Sequence, residues 1–226
     1  IKYAKTNSQI ISIGFHGNII DVWEKLYKEN IFVDIGSDQT SLHNPFQGGY
    51  YPNNISLNKS NQMIKNNPKK FKKLVQEALK KHVNIINKHT KRGTYFFDYG
   101  NAFLLEARRA KANILNKNGA FRYPSYVQDI MGPICFDYGF GPFRWVCTSN
   151  KASDLKKTDN IAQKILEKLI FESALEIKEQ MQDNINWIKA AQKNNLVVGV
   201  QARILYANSD GRIAIAKAFN KAIKKG

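Results

Sequence analysis

The chain has 226 residues, of which 43% are hydrophobic, and it carries a formal net charge of +17. This length and apolar content are enough for a substantial core in one large domain or two smaller ones. No apolar run approaches the roughly 20 residues that span a bilayer, and no basic segment followed by an apolar stretch opens the chain. We therefore expect a cytoplasmic protein that neither inserts into a membrane nor is secreted.

The two cysteines give no sign of a disulfide framework or a metal site. Cys135 and Cys147 have no CxxC spacing and no histidine close in sequence. Disulfide frameworks and zinc sites both need such clusters. We expect two reduced structural thiols and no bound metal.

The positive charge is spread over predicted helices. Pairs of lysines, such as Lys69–Lys70 and Lys80–Lys81, occupy solvent-facing positions of amphipathic patterns. This distribution favours a solvated surface, and we expect no specific nucleic-acid partner. Because clustered lysine and arginine side chains neutralise phosphates, a basic module that binds nucleic acid or an acidic protein is the alternative.

The first elements predict a strand–helix–strand unit. Residues 10–13 are β-like, and an apolar helical pattern begins at Ile19. Residues 31–35 predict a second strand, which favours parallel pairing through a right-handed crossover. Gly14 and Gly17 precede the helix and could let a dinucleotide approach the backbone, but a tight structural turn explains them equally well.

A polar, turn-forming loop spans residues 34–52, directly after the second predicted strand. Gln39, Thr40, Ser41 and His43 provide directional hydrogen-bond donors and acceptors there. Parallel strands deliver their carboxyl ends to one crevice, where ligands bind. We therefore expect this loop to hold a ligand.

Two helices are predicted after the loop. Ser56 predicts the N-cap of a short helix, and Pro68 predicts the first turn of a longer one. In the longer helix, apolar residues recur at three- and four-residue steps and place one face against a sheet. His82 lies on that face and His89 lies near the helix end. Both are expected to pack rather than bind a ligand, because no metal partner or nucleophile accompanies them.

The strand–loop–helix pattern repeats after the longer helix. Residues 94–97 predict a strand, residues 98–101 place polar groups at its carboxyl end, and residues 102–112 predict a helix. Residues 119–149 are rich in aromatic side chains and glycine, with three prolines that a regular helix would not tolerate. This region predicts an aromatic core under long loops or part of a site, and the two can coexist.

The last part of the chain predicts helices and two strands. Thr158 or Asp159 is expected to cap a long helix whose pattern continues toward Trp187. Residues 196–200 and 202–207 have strand character. A polar turn then leads into an alanine-rich terminal helix.

Four segments, which include the motif Gly-Phe-Gly-Pro-Phe-Arg-Trp, resemble the urocanate hydratase (urocanase) family: residues 34–52, 97–101, 126–133 and 136–145. The resemblance covers nearly the whole chain. It implies an α/β fold in which a Rossmann-like NAD-binding portion, residues 1–125, is joined to part of an α/β urocanase core, residues 126–226. Family members are much longer, so the chain resembles an internal segment of the enzyme, and a catalytically inactive fragment is a further alternative to an active enzyme.

The resemblance also implies a reaction. Urocanases add water to urocanate and yield imidazolonepropionate in histidine breakdown. They use tightly bound NAD as an electrophile rather than as a consumed hydride carrier. The implied ligands are NAD and urocanate, and the complete enzyme is expected to be a homo-oligomer, with a homodimer as the default.

By the same resemblance, cofactor contacts fall on several loops. Gln39, Thr40 and Ser41 offer groups for ribose or phosphate oxygens, and tyrosine rings can pack on a planar base. The implied NAD-binding residues are Asn18, Ile19, Gln39, Thr40, Ser41, Leu42, His43, Tyr50, Tyr51 and Tyr99.

Arg144 is the candidate for the substrate carboxylate, because a planar guanidinium grips two oxygens at once. A structural ion pair, or a cation–π contact with Trp145 or another ring, is an equally good explanation. Asp98 and Asp137 could orient nearby groups, and neither is assigned a proton transfer. Leu205 stands where many bacterial urocanases have cysteine, so the role of that thiol is not transferred.

Overall fold

The computed structural model describes residues 1–40, 42–100 and 102–225. The chain forms two compact units, Ile1–Ile130 and Met131–Gly226. The sequence placed the boundary between residues 125 and 126, whereas these units divide after Ile130. Each unit has its own core and its own sheet.

The first unit surrounds one long helix with shorter elements. Its elements are α1 (Lys2–Thr6), α2 (Ile19–Lys28), β1 (Ile35–Asp38), α3 (Leu57–Asn66), α4 (Pro68–Thr90), β2 (Tyr95–Asp98) and α5 (Phe103–Arg109). Short 3-10 and π-helical turns occupy Pro45–Gln47 and Tyr126–Met131. The Ser56 hydroxyl accepts from the Lys59 N–H before α3, and Pro68 opens α4. Both helix starts predicted from these residues are confirmed.

The sheet of the first unit is a parallel pair of strands, β1 and β2. Ile35 lies opposite Tyr95, and Asp38 lies opposite Asp98. Helices α3 and α4 connect the two strands, since parallel neighbours need a long crossover. Both strands end in a buried aspartate. Polar groups are therefore concentrated at the carboxyl edge of this sheet.

The strands of this unit differ from the prediction. The strand expected at residues 31–35 is displaced, and β1 begins at Ile35. The strand predicted at residues 10–13 is wrong, because this segment has no regular secondary structure and Ile10 is 103% exposed. A strand requires a hydrogen-bonded neighbour, and residues 10–13 have none within the described ranges. The predicted strand–helix–strand unit around α2 is therefore not formed.

Helix α4 lies at the centre of the first core. Phe71, Val75 and Leu79 are fully buried on its apolar face, in a cluster that also contains Ile20 of α2 and Phe96 of β2. Burial of one large apolar side chain contributes about 1.5–3 kcal/mol. The predicted three- and four-residue periodicity is confirmed, and it explains why α4 supports the sheet.

Two histidines of α4 belong to this core. Nδ1 of His82 lies 3.1 Å from the hydroxyl oxygen of Tyr50, and burial lowers the pKa of His82 to about 3. Nε2 of His89 lies 2.9 Å from the carbonyl oxygen of Trp23. Both histidines pack in the core, as the helical pattern predicted.

The second unit packs helices against an antiparallel pair of strands. Its elements are α6 (Gly132–Ile134), β3 (Gly141–Val146), α7 (Ala152–Glu172), α8 (Leu175–Lys193), β4 (Ala202–Ala207) and α9 (Ser209–Ile223), with a 3-10 turn at Phe136–Tyr138. Gly141 of β3 pairs with Ala207 of β4. Leu166, Ile188 and Leu205 are buried in the core between the helices and this sheet.

Two strand predictions for the second unit need correction. Residues 119–149 were expected to be irregular, but residues 141–146 form β3 because β4 supplies their hydrogen-bond partners. The strand expected at residues 196–200 is wrong, since this segment contains an isolated bridge between Val198 and Val200 instead. The strand predicted next along the chain is confirmed as β4.

Helix α7 begins earlier than predicted. It starts at Ala152, so Thr158 and Asp159 lie inside the helix and neither is its N-cap. Oδ1 of Asp159 accepts from Nε of Arg203 at 3.1 Å, and Oδ2 accepts from Nη2 at 2.8 Å. Nη1 of Arg203 donates to the carbonyl oxygen of Leu196 at 2.8 Å. This buried bidentate pair ties α7 to β4.

Candidate functional site

The candidate site lies at the carboxyl ends of β1 and β2. Asp38 and Asp98 are opposite each other in the strand register, and both are buried. The Tyr99 N–H donates to the carbonyl oxygen of Asp38 at 3.2 Å. The two loops that leave the strands therefore start side by side. In parallel sheets this edge is where ligands bind.

Asp38 fixes the start of the first loop. Its Oδ1 accepts from the Thr40 N–H and its Oδ2 accepts from the Thr40 hydroxyl, both at 3.0 Å. Burial raises the pKa of Asp38 from 3.8 to about 6; the bonds from Thr40 lower it, and the charge of Asp98 raises it. This carboxyl group therefore titrates just below neutral pH.

Asp98 organises the second loop in a similar way. Its Oδ1 accepts from the Gly100 N–H at 3.0 Å, and its Oδ2 accepts from the Leu104 N–H at 3.4 Å. The turn requires glycine at position 100, because its φ is +103° and a Cβ there would lie 2.5 Å from Cγ2 of Val127. These contacts set the path of the chain on both sides of Tyr99.

Tyr99 presents an aromatic ring at this edge of the sheet. It is 40% exposed, and its ring stacks on Tyr126 with centroids 5.0 Å apart and planes at 5°. Tyr126 begins the π-helical turn. Oδ2 of Asp129 accepts from the Ser125 N–H at 2.7 Å, and the Asp129 N–H donates to the Ser125 carbonyl oxygen at 2.8 Å. Such π-helical turns are frequent at functional sites.

A cavity of about 250 Å³ opens beside the second loop. Asp98, Gly100, Ser125, Gln128 and Asp129 are among the residues that line it. Pockets for whole small ligands are usually about 300–1,000 Å³. This cavity therefore suits part of a ligand rather than an entire dinucleotide.

Some of the predicted NAD-binding residues of the first loop lie at the surface, and one is buried. Gln39 and His43 are exposed, and Thr40 is half-buried. Leu42 is fully buried in the first core, so its side chain faces the core rather than the loop surface. Ser41 lies outside the described residues.

The remaining predicted contacts lie in segments that touch each other. Asn18 caps α2 through Oδ1 and donates from Nδ2 to the carbonyl oxygen of Tyr51 at 3.0 Å. Ile19 is exposed at the start of α2, whereas the Tyr50 side chain is buried against α4. The Tyr51 hydroxyl donates to Oδ1 of Asn61 at 2.8 Å. The Asn18 turn and the Tyr50–Tyr51 segment are therefore neighbours.

Arg144 is exposed on β3 of the second unit. Its Nη2 donates to the carbonyl oxygen of Val198 at 3.0 Å. Within the described ranges, Arg144 has no carboxylate partner and lies over no aromatic ring. Arg144 therefore makes neither the structural ion pair nor the cation–π contact considered for it. Its other N–H groups can bind an anion.

Three features of the two units were not predicted from the sequence. They are the register pair of Asp38 and Asp98, the stack of Tyr126 on Tyr99, and the ion pair of Asp159 with Arg203. Each aspartate of the register pair stands at the carboxyl end of its strand, and this repeated position was a usable signal. The other two features join segments that are distant in sequence and carry no local pattern.

In the part of the chain that the structure describes, no group of three or more histidine, cysteine, aspartate or glutamate side chains could hold a metal ion. None of the helices in that part is long and apolar enough to cross a membrane. The strand ends instead offer a ligand hydrogen-bonding groups and an aromatic ring.

Comparison with known proteins identifies the family. Residues 1–130 match the model of the urocanase Rossmann-like domain, and residues 133–226 match that of the urocanase C-terminal domain. The chain is 53% identical to a probable urocanate hydratase of Caenorhabditis elegans, over 100% of the chain and 34% of that protein. It is 51% identical to the urocanate hydratase of Mus musculus, over 100% of the chain and 35% of that protein.

A human relative gives the same result. The chain is 49% identical to the urocanate hydratase of Homo sapiens, over 99% of the chain and 34% of that protein. It thus spans about a third of the length of these relatives. Because the two family models together cover nearly all of it, the chain belongs to the urocanase family, and its first unit is a Rossmann-like urocanase domain.

Proposed function

We propose that this chain is part of a urocanate hydratase, which adds water to urocanate and yields imidazolonepropionate with bound NAD. Membership of the family and the names of the relatives support this activity. The observation that carries the proposal is the pair of loops that leave β1 and β2 side by side, with Thr40 on one and Tyr99 on the other. A homo-oligomeric, cytoplasmic enzyme of histidine breakdown belongs to the same proposal.

The groups on these loops fit a dinucleotide. Gln39 and Thr40 carry amide and hydroxyl groups that suit ribose and phosphate oxygens, and the Tyr99 ring is accessible to a planar base. His43 adds a further exposed polar group on the first loop. NAD bound there would supply an electron-poor nicotinamide ring to the reaction.

The task of the buried residues is to hold the two loops in place. Asp38 binds both polar groups of Thr40, and Asp98 binds the backbone of Gly100. Tyr126 supports the ring of Tyr99 from behind. Because these contacts are made within the protein, a ligand does not have to order the loops, which lowers the entropic cost of binding.

Arg144 is proposed to bind the carboxylate of urocanate. One N–H of its guanidinium is held by Val198, and the others remain for an anion. Strand β3 supports the side chain, since Arg144 pairs in register with Ile204 of β4. A guanidinium on a strand is better oriented for a two-oxygen contact than one on a mobile loop.

Leu205 takes no part in the chemistry of the proposed reaction. It is buried on β4 within the core of the second unit. Its side chain can neither ionise nor hydrogen-bond, so it cannot act as the cysteine of bacterial relatives would. In this chain the position contributes packing.

The test is a chimera in which this chain replaces the matching region of the mouse relative. We expect the chimera to consume urocanate, followed as loss of its ultraviolet absorbance, with the unmodified mouse protein as the positive control. Arg144→Gln should raise the KM for urocanate about 10- to 150-fold, because a charge-assisted contact is worth about 1.5–3 kcal/mol. Arg144→Lys keeps the positive charge but loses the planar pair of N–H donors, so its KM for urocanate should lie between those of the unsubstituted chimera and Arg144→Gln. A folded chimera without turnover would contradict the proposed function.

A further inference from the structure

The second unit contains a groove of about 600 Å³ that has no role in the proposed reaction. It lies between the start of α7, the end of α8 and the segment that precedes β4. Its volume is within the range of about 300–1,000 Å³ that is typical of small-molecule sites. We call it the lysine groove, because Lys156, Lys189 and Lys193 line it.

The three lysines are exposed and unpaired. Within the described ranges, Lys156, Lys189 and Lys193 form no salt bridge and no side-chain hydrogen bond. Like charges around one concavity repel each other, and the protein walls focus their field into it. An anion in the groove would relieve this repulsion.

The floor of the groove does not neutralise the lysines. Asp159 is the one carboxylate among the described residues that line it. Both oxygens of Asp159 are bound by Arg203, which is itself 2% exposed and lines the same groove. Because the carboxylate is compensated by the guanidinium, the three lysine charges remain uncompensated.

The helix start beside the groove adds to the preference for an anion. Ser153 lies in the first turn of α7 and lines the groove, and Lys151, the N-cap of this helix, provides no side-chain cap. Asp154 of the same turn is engaged by Ser149 and Lys157 and does not line the groove. Helix N-termini favour negative charge, so this element supports the lysines.

We propose that the lysine groove binds a phosphate-bearing small molecule, with Lys156, Lys189 and Lys193 as its contacts. Lysine binds phosphate as a point charge, and three such charges match an anion that carries more than one negative charge. Among the described residues that line the groove, none is aromatic. A single-stranded nucleic acid would be expected to use aromatic stacking platforms along a basic track, so the groove favours a small molecule.

The test uses the whole 226-residue chain and inorganic pyrophosphate, with binding measured by isothermal titration calorimetry at physiological ionic strength. The triple variant Lys156→Gln/Lys189→Gln/Lys193→Gln should weaken binding about tenfold. The control Lys217→Gln/Lys221→Gln/Lys224→Gln removes the same charge from the second half of α9 and its C-cap, outside the groove. Its Kd for pyrophosphate should stay within about twofold of that of the unsubstituted chain. All six side chains are exposed, so both triple variants should fold.

Two further probes define the source of the phosphate. Inorganic phosphate represents the free ion, and AMP represents a phosphate ester. Saturable binding of any of the three probes, weakened more by the groove triple than by the control, supports the proposal. Absence of saturable binding for all three overturns it. Equal weakening of binding by the two triple variants also overturns the proposal. If a single-stranded oligonucleotide binds more tightly than the three probes, and both triple variants weaken its binding equally, the attraction is nonspecific and the proposal is overturned as well.

Discussion

Replacement of Asp38 by asparagine should stabilise the first unit at neutral pH. An asparagine at this position keeps both bonds to Thr40, because its oxygen can accept from the N–H and its amide can donate to the hydroxyl oxygen. The change removes a buried negative charge that lies opposite Asp98. The bonds that hold the loop are retained, so the effect isolates the cost of the charge.

The magnitude follows from the raised pKa. Burial moves the pKa of Asp38 from 3.8 to about 6, and one pKa unit corresponds to about 1.4 kcal/mol. Stability due to the protonated carboxyl is fully present below pH 3.8 and is lost as the pH rises through about 6. Asp38→Asn should therefore raise the free energy of unfolding by about 3 kcal/mol at about pH 7.5, but by only about 1 kcal/mol at about pH 4.5.

Urea unfolding at these two pH values measures the effect. Trp23 reports on the first unit in a Trp145→Phe/Trp187→Phe background, since the chain has three tryptophans and the other two lie in the second unit. Burial lowers the pKa of His82 to about 3, which gives the opposite pH dependence. The contribution of His82 to the pH dependence cancels in the comparison, because the background protein and its Asp38→Asn variant both contain His82. An equal gain at both pH values, or a loss at the higher one, would show that the buried charge of Asp38 does not destabilise the first unit.

Three further substitutions test other contacts. Gly100→Ala should destabilise the first unit by roughly 1–3 kcal/mol in urea unfolding, because it combines a positive φ with a clash against Val127. Asp159→Asn should destabilise the second unit by about 3–5 kcal/mol, measured by tryptophan fluorescence, because Arg203 is left buried without its charge partner. Tyr126→Leu should weaken NAD binding by about two- to tenfold in calorimetry, because a stacked pair contributes about 0.5–1.5 kcal/mol.

Each of these substitutions has a matched control. Gly119→Ala shares the positive φ but has no atom within 4 Å of the new Cβ, so it should cost less than the change at Gly100. Asp154→Asn removes a half-buried carboxylate near the surface of the same helix, whose ion pair with Lys157 is solvent-exposed, and should change stability little. Tyr126→Phe keeps the ring and should retain NAD binding. Equal effects for a variant and its control would refute the cause given for that variant.

Local sequence signals predicted the starts of α3 and α4 but not that of α7. Ser56 and Pro68 each act within one turn of the chain, Ser56 as the N-cap of α3 and Pro68 as the first residue of α4. The apolar stripe of α4 is equally local, since three- and four-residue steps define one helix face. Such features depend on neighbours in sequence, and the structure confirms them.

Strands and long-range pairs could not be predicted in the same way. Residues 10–13 have β-like composition but no neighbour to pair with, whereas residues 141–146 have irregular composition and pair with β4. The local sequence predicts Asp159 as a helix cap, because its actual partner, Arg203, is 44 residues away and leaves no local signal. The polar strand ends were visible in the sequence, but the register that places Asp38 opposite Asp98 required the sheet.

The most direct measurement is NAD binding to the whole chain, mapped by hydrogen exchange. We predict saturable binding that increases the protection of the amides of Thr40, Tyr99 and Gly100, at the carboxyl ends of β1 and β2, beyond that given by their bonds to Asp38 and Asp98. Gln39→Ala and Tyr99→Phe should each weaken it, because each removes a polar group that we propose to contact the cofactor. Absence of saturable binding, or protection confined to the second unit, would contradict the assignment of the NAD site to these two loops.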